Sequence, residues 1–73
     1  MIILVFPPPI EFEVSDEDFK NDVFDADAKN SDRIQVTRDE WGALKITKAM
    51  NGYGTNNLCE YEGTTIKTHN NEQ

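Results

Sequence analysis

Between Glu11 and Asp32 the chain carries nine carboxylates: Glu11, Glu13, Asp16, Glu17, Asp18, Asp22, Asp25, Asp27 and Asp32. Only two lysines, Lys20 and Lys29, oppose them, so this stretch holds −7, the formal charge of the whole chain. The five acids and five bases elsewhere cancel. A run of like charge with few apolar residues stays an open, solvated tail. This one is threaded with Phe12, Val14, Phe19, Val23 and Phe24, and Ile10 precedes it. Any fold must bury those side chains while leaving the neighbouring carboxylates in water. Strands do this by alternating side chains across two faces, and helices by segregating them to one side.

The alternation is clearest at Ile10-Glu11-Phe12-Glu13-Val14, which reads as a half-buried strand with an acidic outer face. Arg33-Ile34-Gln35-Val36-Thr37 alternates in the same way. Ile2-Ile3-Leu4-Val5-Phe6 is continuously apolar and β-branched, which predicts a short strand buried on both faces. Pro7-Pro8-Pro9 ends it as a rigid connection, since proline donates no ladder hydrogen bond and favours polyproline II.

Ser15 is a helix N-cap, and Asp16, Glu17 and Asp18 suit the positive end of a helix dipole. Phe19, Val23 and Ala26 then share one face, which predicts a short helix near residues 16–24, followed by a polar loop over 25–32. Thr37-Arg38-Asp39-Glu40 is a capping-box sequence. It favours a second helix over residues 38 to 50, ending at Asn51-Gly52 and anchored on the sheet by a buried Trp41. The competing reading is a strand with Leu44 and Ile46 inward and Lys45 and Thr47 outward. Gly42, Ile46 and Thr47, all poor helix formers, support it. Residues 51–57 read as a loop. Residues 58–61 and 64–68 read as a hairpin turning at Glu62-Gly63, and 69–73 as a disordered tail. The expected fold is a single α+β domain over residues 1–73, with three to five short, mainly antiparallel strands and one or two short helices.

Composition narrows the functional classes. One cysteine, Cys59, excludes an internal disulfide and a cysteine-rich zinc site, and a lone thiol fits a reducing cytoplasm. The apolar opening has no basic flank and is too short for a signal peptide, and no stretch approaches the roughly 20 apolar residues of a membrane span. At −7 the chain is expected to be repelled by nucleic acid and anionic membranes. Cys59 and His69 are the only nucleophile–base pair, with Cys59 read as an apolar filler in a strand and His69 in the tail. Asp25 and Asp27 start a calcium-loop pattern that fails at Lys29, Asn30 and Val36. Gly52-Tyr53-Gly54 follows the expected helix rather than preceding one, the wrong place to cradle phosphate. Lys45 and Lys48 read as ordinary solubilising charges. Neither an enzyme nor a cofactor or metal is expected.

Two surfaces are left to do the work. The first is acidic, formed by Glu11, Glu13, Asp16, Glu17, Asp18, Asp22, Asp25 and Asp27. Fixed on a strand and a helix, these carboxylates imitate a phosphate backbone and would steer onto a basic groove. The second is apolar, with Phe6, Phe24, Trp41 and Tyr53 as candidate anchors. In length and charge the chain resembles the small acidic phage-encoded proteins that bind and regulate host machinery, including regulators of bacterial RNA polymerase and nucleic-acid mimics that block nucleases. That resemblance implies a non-catalytic regulator in the bacterial host cytoplasm; the alternating and capped segments lead us to expect a monomer. Its partner would be a basic surface on a nucleic-acid-handling protein, RNA polymerase first. The alternatives are an accessory subunit that adds its apolar first strand to a partner's sheet, and an antitoxin-like neutraliser of a basic toxin.

Overall fold

Period-two patterning runs through more of the chain than the helix signals suggest, and each such segment is a strand. The computed structural model describes residues 1–7 and 9–69. The elements are β1 (Ile2–Phe6), β2 (Ile10–Glu13), α1 (Asp16–Phe19), β3 (Val23–Ala28), β4 (Arg33–Arg38), β5 (Leu44–Met50), a 3-10 turn (Leu58–Tyr61) and β6 (Thr65–His69). All six strands join one antiparallel sheet in the order β5-β4-β3-β2-β1-β6. The sheet curls into a half-barrel. The expected α+β fold with three to five strands is therefore wrong: one short helix and one 3-10 turn are the only helical elements among the described residues.

Two segments account for the difference. The first half of the expected loop over 25–32 belongs to β3, in which Phe24, Ala26 and Ala28 are buried and Val23, Asp25 and Asp27 are exposed. The first helix keeps its Ser15 cap, whose hydroxyl accepts from the Asp18 N–H at 3.1 Å, but stops at Phe19 rather than Phe24. It stops because the Arg38 N–H donates to the Asp22 carbonyl at 2.9 Å and Val23 enters the ladder opposite Thr37.

The second helix is absent; residues 44–50 are β5, paired with β4 from Arg38↔Leu44 to Arg33↔Met50 with a bulge opposite Gln35/Val36. Thr37 lies inside β4, where its hydroxyl meets that of Thr47 at 3.0 Å. Asp39 does cap, but it caps a turn: one carboxylate oxygen accepts from the N–H groups of Trp41 and Ala43, both at 2.9 Å. Gly42 completes that turn with φ +82, a conformation that glycine adopts without strain. Trp41 is 84% exposed there and anchors nothing in the core.

The expected hairpin near the end of the sequence is also replaced. Residues 58–61 form the 3-10 turn, and only β6 is a strand, paired along β1 from Phe6↔Thr65 to Ile2↔His69. Cys59 is exposed on that turn, not a filler in a strand. His69, assigned to the tail by its polarity, ends β6; residues 70–73 of that tail lie outside the described residues.

The core fills the inner face of the curl. Ile3, Val5, Phe12, Ile34 and Val36 are its largest fully buried side chains, each contributing about 1.5–3 kcal/mol by leaving water. Phe12 and Tyr61 meet with ring centroids 6.2 Å apart. β1 is not buried on both faces: Ile3 and Val5 point in, while Ile2, Leu4 and Phe6 are half-buried on the outer face. Opposite Leu4 lie Glu11 on one side and Lys67 on the other, and the Lys67 ammonium sits 5.5 Å from the Phe6 ring.

Candidate protein-binding faces

The curl sorts the acidic residues into three groups. Glu11, Glu13, Asp25 and Asp27 project from the outer face of β2 and β3, all exposed. Glu13 and Asp27 are direct cross-strand partners, an arrangement in which like charges oppose one another and destabilise the sheet. Glu11 is relieved by Lys29, whose ammonium lies 3.2 Å from its carboxylate. Asp16, Glu17 and Asp18 form the first turn of α1, which follows β2, and Asp22 lies in the link to β3; all four are exposed. The Met1 ammonium is 3.4 Å from Asp16.

Asp32 forms the third group and leaves the acidic face altogether. It is buried, and its carboxylate accepts a hydrogen bond from the Tyr61 hydroxyl at 2.9 Å and one from the Asn30 amide at 3.3 Å. Burial first, then this bond and the charge of Asp32, pushes the Tyr61 phenol above its ordinary value. The pair ties the 3-10 turn to the β3–β4 connection, a structural use of the only acid among the nine that is buried.

The four apolar candidates do not make one surface. Phe24 is 4% exposed and packs on Phe19 with ring centroids 5.5 Å apart, so it belongs to the core. The Arg38 guanidinium lies 4.5 Å from the Phe19 ring and donates to the Phe19 carbonyl, which fastens α1 to that end of the sheet. Phe6 is half-buried under Lys67. Trp41 and Tyr53 are exposed, one before β5 and one after it, hence at opposite ends of that strand.

Those two rings share a setting that sequence reasoning missed. Asn51 accepts from the N–H groups of Tyr53 and Thr55 at 2.9 and 3.1 Å, as Asp39 does from Trp41 and Ala43. Gly54 has φ +83, matching Gly42. Asp39-Glu40-Trp41-Gly42 and Asn51-Gly52-Tyr53-Gly54 are thus the same turn, each with an exposed aromatic ring at its third position. The signal was in the sequence as a short Asp/Asn-x-aromatic-Gly pattern occurring twice.

Among the described residues no group of three or more His, Cys, Asp or Glu side chains is placed to hold a metal ion. Cys59 and His69 lie on separate elements, the 3-10 turn and the far end of β6. Among the described residues no helix is long and apolar enough to cross a membrane. No family model, no curated protein and no solved structure matches the chain.

Proposed function

We propose that this protein is a non-catalytic binding module whose acidic outer face engages a basic surface on a nucleic-acid-handling protein. The observation that carries the reading is the placement of Glu13 directly opposite Asp27, with Glu11 and Asp25 on the same outer face. Acids are poor strand residues, and like charges across a ladder are destabilising. Carboxylates kept there at a cost to the fold, on a rigid sheet, present a fixed pattern of negative charge that a floppy tail does not. Such a pattern favours encounter with a cationic groove of the kind that holds phosphates.

Purified bacterial RNA polymerase is the first target to test, and a bacterial nuclease the second. Exposed ion pairs contribute only about 0.2–1 kcal/mol each, so several acids must be changed together. Replacing Glu11 and Glu13 by Gln and Asp25 and Asp27 by Asn should slow association and flatten its salt dependence. The same variant should be at least as stable as the parent, because the Glu13/Asp27 repulsion is gone. Unchanged affinity and unchanged salt slope would reduce the acidic face to solvation.

A further inference from the structure

We propose that the seam between the two edge strands, β5 and β6, is a docking slot for an extended segment of another protein in which apolar and acidic residues alternate. Among the described residues β5 pairs only with β4 and β6 only with β1, so each strand has one main-chain edge with no strand partner there. At one end β5 is covered by the chain itself: Met50 bridges Asn56, and the Asn57 N–H donates to the Ala49 carbonyl at 2.9 Å. Among the described residues nothing pairs with the outer edge of residues 44–48 of β5 or 65–69 of β6. The curl brings these edges to two sides of one groove. Two adjoining cavities, of 380 and 500 Å³, share Leu44, Thr64 and Ile66 as walls. The floor is apolar and incompletely covered: Leu44, Ile46, Leu58 and Ile66 are all half-buried. Five residues of strand span about 16 Å, which matches the free edges, and a strand laid there would satisfy their main-chain groups while filling the floor with every second side chain.

Charge selects the occupant. The exposed cations of the two edge strands are Lys45 and Lys48 on β5 and Lys67 on β6, and neither of the two ion pairs among the described residues uses them. Lysines on free edges keep like edges apart, so a second copy presenting the same edges is disfavoured. An incoming strand whose outward positions are Glu or Asp meets opposite charge across the ladder. The chain shows the same match in β2, where Phe12 is buried and Glu11 stands 3.2 Å from Lys29.

The probe is an acetylated, amidated Ile-Glu-Phe-Glu-Val peptide titrated into the full chain, with amide hydrogen exchange read residue by residue. The expected result is slowed exchange over both 44–48 and 65–69, and binding about tenfold tighter than that of Ile-Lys-Phe-Lys-Val. Changing Lys45, Lys48 and Lys67 together to Gln should remove that preference, and changing them to Glu should reverse it. The four-fold acidic-face variant should bind the peptide as well as the parent does, which separates this slot from the proposed acidic interface. Equal binding of the two peptides overturns the proposal. So does protection at one edge only or at neither, or self-association of the chain through these strands in sedimentation.

Discussion

The middle of the sheet and its two edges are built on opposite terms. β2 and β3 lie inside the sheet with a strand on each side, the inward Phe12, Phe24 and Ala26 are buried, and the outward positions include Glu11, Glu13, Asp25 and Asp27. In β5 and β6 one main-chain edge has no strand partner among the described residues, the inward Leu44, Ile46 and Ile66 are half-exposed, and the outward positions include Lys45, Lys48 and Lys67. These four acids sit where the backbone has a strand on each side and cannot be templated by another chain. Lysines sit where it can be, and there they decide what is allowed to pair.

The sharpest way to break that contrast is truncation at matched depths. Phe12→Ala, in the saturated middle, should cost about 3–5 kcal/mol, whereas Ile66→Ala at the seam should cost about 1 kcal/mol. Urea denaturation midpoints read both, and near-equal losses would mean that the seam is as tightly packed as the centre. An effect smaller than that of Phe12→Ala is expected at the tie between the two regions. Tyr61→Phe leaves the buried Asp32 carboxylate short of a donor and should cost about 1.5–3 kcal/mol at neutral pH. The pH dependence has a defined sign. Burial, then the Asp32 bond and charge, raises the folded phenol above its ordinary 10.0. Its contribution is therefore whole below pH 10.0 and is lost progressively as pH rises beyond that value. Tyr61→Phe should abolish that part of the alkaline slope in thermal melts. The smallest effect is at the turns: Trp41→Ala and Tyr53→Ala should each change stability by no more than about 0.5 kcal/mol. A larger loss at either would show that its ring packs on the sheet.

The strands with a clear outward partner were legible from sequence: Ile2–Phe6, the segment starting at Ile10 and the one starting at Arg33 all form. β3 was not, because its outward positions include two aspartates and its inward ones two alanines, so that neither strand propensity nor hydrophobicity marks it. The Phe19/Val23/Ala26 spacing competed with it, and pairing with β4 won over that local signal. β5 was obscured by Thr37 and Glu40, whose capping-box spacing sits instead on a strand end and a turn. The acidic residues of the candidate face could be named in advance, but their grouping could not. Moving Asp32 inside and setting Glu13 against Asp27 depend on register, which no single segment contains.

The two neighbours of β1 reach it by very different routes, and that has a kinetic consequence. β2 follows after a connection of a few prolines, so Val5↔Ile10 is a local contact. β6 is the last element of the described chain, and Ile2↔His69 joins residues from its opposite ends. Forming that pairing closes a loop of almost the whole molecule, an entropic barrier that high contact order makes slow, on the order of milliseconds to seconds. Until it closes, the side of β1 that awaits β6 is itself an open edge with Ile2, Leu4 and Phe6 beside it. The refolding chain thus passes through a window in which its most aggregation-prone strand has found only one of its partners.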